Sequence, residues 1–75
     1  MKIERIKRID HLIRLAATGG PDELAEKLQV SRMTIFRDLV EMKKSGSPIK
    51  YSHFNNSYIY TKAGKFYVGF LKEDS

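Results

Sequence analysis

The residues best placed to do chemistry crowd into one short stretch: Ser31, Arg32, Met33, Thr34 and Arg37. An arginine donates two parallel hydrogen bonds to a guanine edge or clamps a phosphate, and the sequence leaves both roles open. The Thr34 hydroxyl suits a phosphate oxygen, and its methyl suits a thymine methyl. Met33 stands at the edge of an apolar pattern and fits core and contact equally. Ser31 reads first as a helix N-cap, its hydroxyl accepting from a free N–H of the turn that follows. Lys44, two turns beyond Arg37 on the same polar side, extends the set.

Bond-making chemistry finds no comparable set. The chain has two histidines and no cysteine, which gives no nucleophile–base pair, no thiolate metal site and no disulfide. No two carboxylates fall where a cleft would pair them, and Gly19-Gly20 lacks the flanking pattern of a phosphate-binding loop. We therefore expect no catalytic residues, no metal, no cofactor and no small-molecule effector, and we read the chain as not an enzyme. His11 falls on the polar side of its helix and His53 in the hairpin, where a packed or surface histidine is the ordinary case.

The elements that must position this set follow from periodicity. Ile3, Ile6, Ile9, Ile13 and Ala16, widened by Leu12 and Ala17, form a helical stripe and predict a first helix over about 3–17. Thr18-Gly19-Gly20 ends it, because adjacent glycines lose too much backbone entropy to continue a helix. Pro21 suits the first position of a second helix over about 21–28, with Asp22 and Glu23 at the positive end of its dipole and Leu24, Ala25 and Leu28 on one face. After a tight turn at Gln29-Val30-Ser31, a third helix runs over about 32–45. Ile35, Leu39 and Met42 form its apolar stripe, widened by Phe36 and Val40. Thr34, Arg37, Asp38, Glu41 and Lys44 point the other way. Asp38 is expected to pair with a nearby cation. Gly46 suits a left-handed C-cap, and Pro48 prevents continuation.

From Ile49 to Lys62 the period shifts towards two. Asn55-Asn56 between IKYSHF and SYIYTK predicts a hairpin turn, which sets His53 opposite Tyr58 and Tyr51 opposite Tyr60. Residues 63–75 begin with a turn at Ala63-Gly64 and continue as a short apolar run, read as a strand or an irregular cover. Phe66, Tyr67 and Phe70 there are either core filling or a dimer contact.

A short helix, a tight turn and a longer helix make a helix-turn-helix. The run LAEKLQVSRMTIFRDLVEMKKSGSPI also resembles the winged helix-turn-helix domain of biotin-operon-type and deoxyribose-operon-type bacterial transcriptional regulators. The likeness is carried by Leu24-Ala25, Val30-Ser31, Thr34-Ile35, Arg37-Asp38, Gly46 and Pro48-Ile49, and it covers roughly residues 5 to 62. The resemblance implies a mainly α fold of three helices followed by a wing hairpin, with the third helix as the recognition helix in double-stranded DNA. It also implies a wing on the DNA backbone or in the minor groove. Lys50 and Lys62 are the residues suited to phosphates, and the tip offers His53, Asn55 and Asn56. Thr18-Gly19-Gly20 forms strand poorly, so the family's short first strand is expected to be vestigial. Better-known members carry an effector or catalytic domain after the wing.

Seventy-five residues make one domain, read as 1–75, with no room for a second core. Charged residues are 31% and hydrophobic ones 41%, an ordinary folded balance. No apolar run approaches the roughly 20 residues that span a bilayer, and Met1-Lys2-Ile3 does not open a signal peptide, so a cytoplasmic location is expected. The net charge of +5 gathers on the first and third helices, while residues 16–31 are net acidic. A polyanionic partner follows, with solubility alone as the bland alternative. One such module buries roughly 600–1,000 Å2 on DNA, so a specific site calls for two copies or a partner. Two other readings fit the same residues: a winged helix that docks a protein through Tyr51, Phe54, Tyr58 and Tyr60, and an RNA binder. The narrow A-form groove suits a protruding helix poorly.

Overall fold

The chain folds as three helices followed by two hairpins: α1 (Ile3–Arg14), α2 (Pro21–Leu28), α3 (Arg32–Lys44), β1 (Ile49–Ser52), β2 (Ser57–Tyr60), β3 (Gly64–Tyr67) and β4 (Gly69–Lys72). This computed structural model describes residues 3–67 and 69–72, with side chains described as far as Gly64. The wing is the antiparallel pair β1–β2, and β3–β4 is a second antiparallel pair. The apolar run after Gly64 is thus strand, and Ala63-Gly64 leads straight into it. The side chains of Phe66, Tyr67 and Phe70, read as either core filling or a dimer contact, lie outside the described residues.

The core is where the three helical stripes converge: Ile6, Ile9 and Ile13 of α1, Leu24, Ala25 and Leu28 of α2, and Ile35, Leu39 and Met42 of α3, closed by Ile49 of the wing. Helix α2 packs on α3, and α1 packs on β2 and β3. Tyr58 and Tyr60 are partly buried against this core, so the wing face bearing Ile49, Tyr58 and Tyr60 covers the helices.

All three helices end alike. A left-handed residue closes each end, and two N–H groups turn back to the last free carbonyls. In α1, Ala16 (φ 53°) and Ala17 donate to Ile13 and Leu12, both at 2.9 Å. In α2, Gln29 (φ 56°) donates to Glu26 at 3.2 Å and Val30 to Ala25 at 3.0 Å. In α3, Gly46 (φ 101°) and Ser47 donate to Lys43 and Met42 at 3.0 Å. The expected extension of α1 to residue 17 is therefore corrected. The left-handed turn at Ala16 stops it at Arg14, and Ala16 is exposed rather than in the stripe.

Between α1 and α2 the expected glycine break holds for a specific reason. Gly19 has φ 71°, and a Cβ on it would stand 2.8 Å from the Glu23 Cβ. The Glu23 carboxylate accepts from the Gly20 N–H at 2.8 Å, which fastens the start of α2. Residues 18–20 form no strand, yet they hold the wing. Thr18 is fully buried, its N–H donates to Ser57 Oγ at 3.0 Å, and its Oγ1 accepts from the Tyr58 N–H at 2.8 Å.

The wing register differs from the expectation by two residues. Tyr51 pairs with Tyr58, and Ile49 with Tyr60, leaving His53–Asn56 as a four-residue loop. Side chains inside the loop explain the shift. Ser52 Oγ accepts from the Asn55 N–H at 3.1 Å, and the Tyr51 hydroxyl donates to Asn56 Oδ1 at 2.7 Å. Only Asn56 takes the positive φ, at 50°. The Tyr51 ring meets Tyr58 and His53 edge-on, with centroids 5.0 and 5.1 Å apart.

Candidate nucleic-acid interface

Ser31 is the N-cap of α3, as its hydroxyl requires: it accepts from the Thr34 N–H at 3.1 Å and shares a hydrogen bond with Thr34 Oγ1 at 2.9 Å. The two hydroxyls are thereby turned towards each other, and Thr34 is half-buried. From that cap α3 runs with Ile35, Asp38, Leu39 and Met42 inward. Arg32, Met33, Phe36, Arg37, Val40, Glu41, Lys43 and Lys44 are exposed.

Two side chains of α3 reverse their expected faces. Phe36 and Val40 do not widen the buried stripe, since they are 41% and 50% exposed. Asp38 is not on the outer face but 5% exposed, locked to Arg5 of α1. Arg5 approaches it with two donors, Nε to Oδ2 and Nη2 to Oδ1, the second at 3.1 Å. This forked pair raises the Arg5 pKa above its ordinary value, the hydrogen bond to Asp38 being the main cause. It fastens the outermost helix to the back of α3.

A second buried carboxylate, which the sequence reading did not single out, fastens α1 to the wing. Asp10 is 3% exposed, accepts from the Tyr60 hydroxyl at 2.7 Å and from Arg14 Nε at 3.1 Å. Burial first, and then the bond to Asp10, drive the Tyr60 phenol far above its ordinary pKa. The phenol of Tyr58 is also raised, chiefly by burial. The signal was present, because Asp10 lies four residues after Ile6 and three before Ile13, inside the apolar stripe.

These pairs redistribute the charge. Arg5 and Arg14 are engaged within the molecule. Arg32 is exposed, but it pairs with Asp22 at 3.1 Å, and its guanidinium lies over the Phe36 ring, 5.6 Å from the centroid. Lys27 donates to the Ala17 carbonyl. Arg37, Lys43 and Lys44 make no ion pair among the described residues. The structure thus brings Arg32, Met33, Arg37 and Lys44 onto one outward face of α3.

The wing residues are dispersed. Lys50 is exposed on β1, while Lys62 lines a cleft with Arg14, Ala16 and Ala63 beside the end of α1. Asn55 and Asn56 turn inward to hold the loop, and His53 is exposed against Tyr51. Among the described residues no three His, Asp or Glu side chains gather as a metal site would need, and no helix is long and apolar enough to cross a membrane.

Three helices with a cap at Ser31, followed by an antiparallel hairpin, define a winged helix-turn-helix. The model of the HTH domain family matches residues 7–69, and the chain belongs to that family. It is accordingly a DNA-binding helix-turn-helix chain of the kind that serves transcription regulation, in a family that is typically non-enzymatic. No curated protein and no solved structure matches it.

Proposed function

We propose that the chain binds double-stranded DNA sequence-specifically, with α3 in the major groove, as a cytoplasmic bacterial regulator of the biotin-operon or deoxyribose-operon type. The observation that carries this reading is the division of charge on α3. Its one inward acid, Asp38, is matched by Arg5 behind it, while Arg37, Lys43 and Lys44 stand exposed on the outer side without an ion-pair partner among the described residues. Residues near the N-terminus of a groove-bound helix reach base edges. Arg37 is the foremost base reader, with Arg32, Met33 and Thr34 beside it. Ser31 and Lys44 serve phosphates, and Lys50 and Lys62 extend the phosphate track along the wing, with His53, Asn55 and Asn56 at its tip. Residues 1–75 act as one unit. Two copies, joined through the segment bearing Phe66, Tyr67 and Phe70, cover a site and alter polymerase access.

Selection of duplexes from a random library by the purified chain tests this reading, followed by a salt series on the winner and its scramble. We expect an enriched motif bound far more tightly than the scramble, with affinity falling steeply as salt rises. Equal affinity for both would reduce the chain to a non-specific binder, and no binding at low salt would refute the reading.

A second reading has one observation in its favour. Met33, Phe36 and Val40 are exposed beside the arginines, as a protein-docking face would have them. The wing supports it less, because Tyr51, Tyr58 and Tyr60 are half-buried and only Phe54, at 96%, is free.

A further inference from the structure

Met33, Phe36 and Val40 are 67%, 41% and 50% exposed, and their spacing of three and then four residues lines them along one ridge of α3. All three are large apolar side chains that gain by leaving water, so the ridge is a standing apolar surface. It is not a clean apolar seam. Arg37 lies beside its middle, Lys44 continues it one turn beyond Val40, Arg32 and Lys43 flank one side, and Glu41 is the single exposed acid of the helix.

That mixture selects the occupant. Arginine, methionine and aromatic residues are common in protein interfaces, but lysine is depleted there, and here Lys43 and Lys44 border the ridge. A matching surface must offer dense negative charge with small apolar points set into it. The major groove of a duplex does so: phosphates line its walls, and the thymine 5-methyl is the apolar group displayed on its floor. Arg32, held between Asp22 and the Phe36 ring, keeps one side of that ring covered and leaves the rest of the ridge open.

We propose that the Met33–Phe36–Val40 ridge reads thymine methyl groups, so that the preferred site carries thymines in register with α3 while Arg37 supplies a neighbouring polar contact. This rests on the DNA-binding reading above and adds to it the chemical group that the apolar ridge recognises.

The test uses the duplex selected by the full chain, with each thymine replaced in turn by deoxyuridine. That exchange removes one methyl and keeps every hydrogen-bonding group. We expect a loss of about fourfold in affinity at each thymine whose methyl is buried on the ridge. Val40→Ala and Met33→Ala alter exposed positions and leave the fold intact, which thermal unfolding verifies, and each should shrink that loss at its own thymine. Uracil duplexes bound as tightly as thymine duplexes at every position would overturn the proposal while leaving DNA binding by α3 standing. So would a selected motif without thymine. Failure to select any duplex would overturn both. If a second copy of the chain covers the ridge instead, Met33→Glu will change the sedimentation of the DNA-free chain and uracil will be silent, which also overturns it.

Discussion

Helices α1 and α3 each carry four arginines and lysines, but α1 commits two of them to buried carboxylates, whereas α3 commits one, Arg32, to an exposed carboxylate. On α1, Arg5 and Arg14 are drawn onto buried carboxylates, Asp38 and Asp10. On α3, Arg37, Lys43 and Lys44 stay exposed and unpaired among the described residues. Basic residues along a chain are thus a poor map of basic surface. An ion pair that ties one helix to another, as Arg5–Asp38 does, removes its cation from the outer field, and the proposed interface draws on the cations of α3 that are left unpaired.

The comparison breaks most visibly if Asp38 is removed. Asp38→Ala should cost about 3 kcal/mol in urea unfolding, because the largely covered Arg5 guanidinium loses its forked partner. Its neighbour Arg37 should behave in the reverse way. Arg37→Ala should leave stability within about 0.5 kcal/mol of wild type. The same change should weaken selected-duplex binding by about 1–3 kcal/mol and relax the preference at one base pair. Adjacent residues would then separate folding from binding, and equal effects of both on stability would erase the distinction.

Tyr60 sharpens the α1 side of the comparison. Tyr60→Phe should cost about 1 kcal/mol at neutral pH by removing the bond to Asp10. Because the folded phenol is raised above its ordinary value of 10.0, the stability it lends is complete below that pH and is lost as pH climbs beyond it. Wild type should therefore approach the variant in urea melts above about pH 10. A gap that widens there would contradict the assignment. The smallest effect concerns the helix ends. Ala16→Gly relieves a left-handed alanine and should raise stability by about 0.5 kcal/mol, read as a small rise in melting temperature.

Most of the helical frame was legible because periodicity, glycine and proline agree. The start at Pro21, the end at Leu28 and the cap at Ser31 all stand where local chemistry puts them. The misreadings have more than one cause, and the first is tertiary partnering. Asp10 and Asp38 both sit inside apolar stripes. Sequence alone does not reveal that Tyr60, fifty residues away, or Arg5, thirty-three residues away, makes their burial favourable. Phe36 and Val40 are apolar, but they lie a sixth of a turn or more off the Ile35–Leu39–Met42 line, and geometry overrides type. The wing register shifted because Ser52 and Tyr51 hold a longer loop than the asparagine pair suggests. For the candidate site, the cluster on α3 was legible from residue types and resemblance, whereas its apolar ridge was not.

Amide chemical-shift mapping of the full chain titrated with its selected duplex tests the central claim most directly. The largest changes should fall on residues 31–44 and on Lys50 of the wing, with the outer face of α1 at Lys7, Arg8 and His11 unmoved. Changes centred on α1, or a titration that leaves Arg37 and Val40 unperturbed, would contradict the assignment of the interface to α3.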